Sequence, residues 1–157
     1  MENAGDAYRA FAAAVLGYLR SQRAPDPEDI LGEVFLQVAR DWSKFRGDEA
    51  ALRRWVFSVA YNRLLDARRA ASRRPLTSSS PIPEGSRRDS AAGLDAELLA
   101  ALAELTPEQR EVVVLRFVGD LPLEDVARIT RRRVGAVKAM QRRALEALER
   151  SLGSREH

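Results

Sequence analysis

Residues 106–143 read TPEQREVVVLRFVGDLPLEDVARITRRRVGAVKAMQRR, and the punctuation of this stretch decides the fold. Thr106-Pro107-Glu108-Gln109 marks a helix start, with a hydroxyl to cap, a proline at the first helical position, and a glutamine three residues after the cap to close a capping box. The helix it opens runs to Val118 and stops at Gly119. Asp120-Leu121-Pro122 restarts the chain, and Leu123 to Ile129 forms a short helix with Val126, Ala127 and Ile129 inward. After a tight arginine turn, Val134 to Leu152 forms a longer helix with Val137, Ala144, Leu145 and Leu148 inward. Short helix, tight turn and basic second helix describe a helix-turn-helix, in which the first helix braces the second and the second presents its N-terminal residues to base edges in the major groove.

Upstream, Leu94, Leu98, Leu99, Leu102 and Leu105 mark one further helix of the same module. Before it, LTSSSPIPEGSRRDSAAG (76–93) keeps no apolar period and is punctuated by Ser, Pro and Gly, as a flexible linker is. The chain therefore divides into 1–75, a linker 76–93, and 94–157. In the first module Tyr8, Phe11, Val15, Leu16 and Leu19 mark one amphipathic helix. A second starts with Asp26 as N-cap, Pro27 at the first position and Glu28 and Asp29 in the first turn, where carboxylates suit the helix dipole. Its apolar face is Ile30, Leu31, Val34, Phe35, Val38 and Ala39. A third, from about Ala50 to Ser72, turns Trp55, Val56, Val59, Ala60, Leu64 and Ala67 inward. The fold class is all-α: two small helical domains joined by a flexible linker.

Composition narrows the function. The 157 residues are 45% hydrophobic and 31% charged, which suits a soluble globular protein. Cysteine is absent and the single histidine is His157 at the end, so no metal site, cofactor site or catalytic residue is expected. No apolar run approaches the ~20 residues of a membrane span, and the acidic start at Glu2 and Asp6 is unlike a secretory signal, so the expected place is the cytoplasm.

The net charge of +3 says little, but its distribution says more. Residues 53–74 hold seven arginines against the single acid Asp66, and residues 128–143 hold seven basic residues and no acid. Two solvated helix faces would look similar; two such blocks in separate modules favour a polyanion. In the second block, Arg131, Arg132 and Arg133 sit at the turn and helix start, Lys138 and Arg142 lie one turn apart with Arg143 beside them, and Ala136 and Ala139 permit close approach. Arginine's planar fork bonds guanine bidentately or clasps phosphate. In the first block Trp55, Phe57 and Tyr61 are interleaved with arginines, as suits stacking on exposed bases, although Trp55 falls on the apolar face and is read as core. Asn62 can read an adenine edge. Asp66 either accepts from a cytosine amino group or pairs with Arg63 or Arg69.

With these residues in hand, DPEDILGEVFLQVARDWSKFRGDEAALRRWVFSVAYNRLLDARR (26–69) resembles the promoter-melting domain, domain 2, of extracytoplasmic-function (ECF) sigma factors of the sigma-70 family. LTPEQREVVVLRFVGDLPLEDVARI followed by VGAVKAMQRRALEAL resembles their domain 4. The resemblance implies a sigma factor that directs core RNA polymerase to promoters. It implies that Asp29, Ile30, Glu33, Val34 and Phe35 dock on the clamp helices of the polymerase's largest subunit. It further implies that Asn62 and Asp66 face the minus-ten element, that the loop carrying Arg46, Gly47 and Asp48 helps hold an expelled base, and that Arg63, Arg69, Arg73 and Arg74 track phosphate. Domain 4 would dock on the flap of the second-largest subunit and set Arg131, Arg132, Arg133, Ala136, Lys138, Ala139, Arg142 and Arg143 at the minus-thirty-five element. An anti-sigma factor is the implied regulator. The sequence departs from the family at Ile129-Thr130, where Leu-Gly is frequent, and at Ala139-Met140-Gln141. The rival readings are a stand-alone helix-turn-helix regulator, which predicts palindromic duplex binding without polymerase, and a recombinase using Ser58 or Tyr61, for which no base or converging cationic cluster is evident.

Overall fold

The computed structural model describes residues 1–73 and 95–154; the 76–93 linker and Arg74 lie outside them. Among the described residues the regular elements are helices: α1 (Ala4–Ser21), α2 (Pro27–Arg40), α3 (Glu49–Arg73), α4 (Ala96–Ala103), α5 (Pro107–Phe117), α6 (Leu123–Thr130) and α7 (Val134–Ser154), with a 3₁₀ turn at Trp42–Lys44.

Local chemistry sets each boundary. Asn3 caps α1 by accepting the Asp6 amide at 2.8 Å. Thr106 accepts the Gln109 amide at 3.2 Å while the Gln109 side chain accepts the Thr106 amide, so the expected capping box is present. Asp26 departs from its expected role. It stands at the N-cap with φ 47° and ψ 62°, in the left-handed region, and its side chain makes no capping bond; Pro27 and the acidic first turn start α2 without it.

In the first unit α1 packs on α2, and both pack on α3. Their shared core is built from Phe11, Val15, Leu19, Ile30, Val34, Val38, Leu52, Val56 and Leu64. Tyr8 is half exposed and sets its ring edge-on to Phe35 at 5.1 Å. In the second unit α4, α5 and α6 pack on α7 through Leu102, Leu105, Val112, Leu115, Leu121, Val126, Val137, Ala144 and Leu148. Leu145, expected inward, is 41% exposed, because Ala144 and Leu148 already define the buried stripe and position 145 falls beside it.

The units also touch each other. α1 packs on α4 and α5, and α3 packs on α6. Tyr18 and Phe57, fully buried and edge-on to each other at 6.2 Å within the first unit, meet the second through Glu111 and Gly119 respectively. A Cβ on Gly119 would stand 2.6 Å from the Leu115 carbonyl and 3.3 Å from the Phe57 ring, so glycine lets the end of α5 approach α3 this closely.

Candidate nucleic-acid interface

The loop before α3 is tightly built. Arg46 donates to the carbonyls of Ser43 and Phe45, both at 2.8 Å. Gly47 has φ +145°, and a Cβ there would stand 2.8 Å from the Ala51 methyl, so only glycine fits the bend. Asp48 accepts the Ala51 amide at 2.9 Å and so starts α3. Behind this loop lies an open cleft of ≈ 520 Å³ lined by Phe45, Arg46, Arg54, Trp55 and Ser58, among others. Trp55, expected in the core, is only half-buried. Its ring stacks on Phe45 with centroids 5.3 Å apart and planes 6° from parallel, which leaves an aromatic wall beside two guanidinium groups. Such a wall suits a planar base with phosphate nearby. Phe57 lies instead in the core, fully buried against Tyr18, and is withdrawn from any stacking role.

Along α3, Asn62, Asp66, Arg69 and Arg73 fall at helical spacing on one face, and all four are exposed. Asp66 and Arg69 form a loose pair at 3.7 Å with both side chains 65% exposed, so the pairing leaves Asp66 open to other partners. Arg63 corrects the expected phosphate track. Its Nε and one Nη both donate to Gln37 Oε1, at 3.1 and 2.9 Å, which ties α3 to α2.

The α2 face also needs correction. Ile30 (3% exposed), Val34 (0%) and Phe35 (9%) are packed inside, since the apolar stripe of an amphipathic helix is consumed by its own core. The outward face carries Asp29, Gly32, Glu33 and Leu36, the last 65% exposed. Leu36 went unnoticed in the sequence, although its offset from the stripe of Ile30, Val34 and Val38 was a signal.

At the helix-turn-helix, α6 closes with Arg131 in the left-handed conformation (φ 58°, ψ 44°), and the Thr130 hydroxyl donates back to the Val126 carbonyl at 2.8 Å. Arg131 thus fills the turn position for which glycine is usual. Arg131, Arg133, Ala136, Lys138, Arg142 and Arg143 are exposed and Ala139 is partly so. Arg132 turns inward, its Nη1 3.9 Å from the Glu111 carboxylate, an ion pair too long to be a hydrogen bond. It is therefore withdrawn from the DNA-facing set.

Glu111 sits where the units meet, 7% exposed, and accepts the Tyr18 hydroxyl at 3.3 Å. Burial pushes its carboxyl above the ordinary range against the opposing charges of Arg132 and Arg68. Burial, helped by the Glu111 charge, pushes the Tyr18 phenol well up, so it remains a donor. Beside them Arg53 donates to the Asp120 carboxylate at 3.2 Å and to the Gly119 carbonyl at 3.4 Å, and Arg54 to Asp125 at 3.5 Å. Among the described residues no group of acids and histidines could hold a metal, and no helix is long and apolar enough to cross a membrane.

Two family models match: sigma-70 region 2 over residues 6–74, and sigma-70 region 4 over residues 95–148. The chain is 34% identical to the ECF RNA polymerase sigma factor SigL of Mycobacterium tuberculosis, over 82% of this chain and 76% of that protein. It is 30% identical to the ECF RNA polymerase sigma factor BldN of Streptomyces coelicolor over 86% of its own length, and spans 54% of BldN. It shares its fold with the sigma factor RpoE of Bartonella quintana, solved in complex with the anti-sigma factor NepR: TM-score 0.72, 18% identity, 95% of this chain and 96% of that one.

Proposed function

The chain belongs to the ECF group of the sigma-70 family of RNA polymerase sigma factors, and from that premise we propose that it directs core RNA polymerase to a specific set of promoters and initiates transcription there, in the cytoplasm and without catalysis of its own. The observation that carries this reading is the pairing of two different DNA-facing surfaces in one chain. One is an aromatic and cationic cleft next to an exposed Asn62 face, suited to unpaired bases; the other is a basic recognition helix, suited to a duplex groove.

In this reading residues 1–75 form domain 2. Arg46 and Trp55 border the pocket for an expelled minus-ten base while Gly47 and Asp48 hold the loop, and Asn62, Asp66, Arg69, Arg73 and Arg74 follow the melted strand. Residues 94–157 form domain 4, with Arg131, Arg133, Ala136, Lys138, Ala139, Arg142 and Arg143 toward the minus-thirty-five duplex, and 76–93 joins the two. The clamp of the largest subunit takes the exposed α2 face, with Leu36 as the apolar contact and Asp29 and Glu33 as its charged rim. The flap of the second-largest subunit takes domain 4. An anti-sigma factor is the expected inhibitor, since RpoE, which shares the fold, is held by one.

In-vitro transcription with core polymerase and a genomic library tests the class. Promoter-dependent transcripts are expected only when this chain is added. No such transcript, together with a palindromic footprint by the chain alone, would favour the stand-alone regulator.

A further inference from the structure

We propose that Gln22, Arg23, Arg68 and Arg110 form a binding site for a compact phosphate-type oxyanion, either free phosphate or the terminal phosphate group of a small nucleotide. None of the four belongs to the surfaces assigned above to promoter DNA or to polymerase, so the site goes beyond the sigma-factor reading and does not depend on it.

The fold brings the four together from three helices. Tyr18 on α1 donates to Glu111 on α5 at 3.3 Å, which sets the end of α1 against the start of α5. Gln22 follows Tyr18 by one turn, its amide donating to the Tyr18 carbonyl at 3.1 Å, and Arg110 directly precedes Glu111. From α3, Arg68 donates to the Gln22 carbonyl at 2.9 Å. Arg23 stands next to Gln22 in the left-handed region, with φ 56°, and is exposed.

Two of these side chains are buried with donors unspent. Arg110 is 8% exposed and joins no ion pair among the described residues, and its Nε has no acceptor there. Gln22 is 2% exposed, and its Nε2 likewise lacks a partner. Burial first, then the charges of Arg68 and Arg23, hold the Arg110 guanidinium below its ordinary value, and Glu111 and Glu108 offset this only in part. Glu111, the acid beside Arg110, is turned to Tyr18 and Arg132 instead. A buried guanidinium pressed by like charges is costly, and a counter-anion relieves that cost. Arginine forks suit a tetrahedral oxyanion because each offers paired parallel donors, and the Gln22 amide adds a neutral one. Burial also sets the size of the ligand. With Gln22 and Arg110 covered, a small anion can reach the donors and a duplex backbone cannot.

Calorimetric titration of the full chain with inorganic phosphate, at ionic strength matched with chloride, should show saturable binding of one ion per chain, and the melting midpoint should rise as the site fills. Pyrophosphate and a nucleoside diphosphate are the further arms. Tighter binding of the nucleoside diphosphate than of pyrophosphate would assign the ligand to a nucleotide, and equal binding would assign it to the free anion. Arg110→Met, which replaces the buried charge with an apolar chain, should melt higher than wild type in chloride and lose the phosphate-dependent rise. Arg23→Asn guards against misfolding, because the position is exposed and asparagine tolerates φ 56°. It should weaken phosphate binding about tenfold without lowering the melting point in chloride. No saturable binding by about 10 mM phosphate would overturn the site. Binding that persists at wild-type strength in both variants would overturn it equally. Transcription enters none of these measurements, so a failed promoter assay would sink the sigma reading and leave the site standing.

Discussion

Arg131→Gly should make the protein more stable and a poorer DNA binder at once. Arg131 holds φ 58° and ψ 44°, where the Cβ of an L-residue crowds its own carbonyl at a cost of about 1–2 kcal/mol. Glycine removes that cost but releases more freedom in the unfolded chain, returning about 0.5–1 kcal/mol. The net gain is then about 0.5–1 kcal/mol, a rise in melting midpoint of ~1–4 °C for a chain of this size. The charge is lost in the same step. If Arg131 neutralises one phosphate, the slope of log binding constant against log salt falls by about 0.9 on a minus-thirty-five duplex. Two further variants separate the effects. Arg131→Asn should keep most of the stability gain, because asparagine tolerates this conformation, and should still lose the slope. Arg131→Lys should keep the slope and gain no stability. Thermal melts and salt-dependent anisotropy read both quantities. A lower melting point for the glycine variant would refute the strain argument, and an unchanged slope would refute the placement of Arg131 against DNA.

Asn62→Ala, on an exposed helical site, should leave the stability within about 0.5 kcal/mol of wild type and spare core-polymerase binding, while permanganate footprinting shows reduced open complex. Equal loss of both activities would make Asn62 structural. Arg142→Ala should reduce the salt slope on the minus-thirty-five duplex by about 1, and an unchanged slope would remove Arg142 from the interface. Leu36→Asp should weaken core-polymerase binding in a pull-down with little change in stability, because Leu36 is 65% exposed; full retention would move the docking site off the α2 face. Glu111 has a raised carboxyl, so the stability it contributes is present below the ordinary value of 4.5 and lost as pH rises through the raised one. Glu111→Gln should flatten the melting profile in that window relative to wild type, and matching slopes would show that burial does not control this group.

The helices were legible because their signals are local. The Thr106 to Gln109 capping box and Pro27 at the start of α2 act within one turn, and residues such as Phe11 and Val15 repeat at the helical period. Asp26 does not cap because a capping residue type does not determine its own φ, which here is 47°. The helical period and the usual burial of large aromatics both turn Trp55 inward. It does pack against the core, but Phe45, ten residues away across the Gly47 bend, offers a ring to stack on and Trp55 stays half-buried at the cleft. The contact between the units was invisible, because its ion pairs join residues 53 and 54 to 120 and 125 and no local pattern links such positions.

The same reasoning explains why the basic blocks were only partly readable as a site. Counting charge identifies where cations concentrate, but each arginine has a long stem and five donors, so its partner is set by whatever acceptor the fold brings within reach. Arg63 is claimed by Gln37, Arg68 by the Gln22 carbonyl, Arg132 by Glu111, and Arg53 and Arg54 by Asp120 and Asp125. The claims differ in kind. Gln37 and Gln22 lie in the same unit as their arginines. Asp120 and Asp125 lie across the contact between the units. Arg132 is intermediate: Glu111 is in its own unit, but Glu111 is buried and held by Tyr18 from the other. Which arginines are claimed therefore depends on how the helices and the two units pack, a quantity that no window of sequence contains.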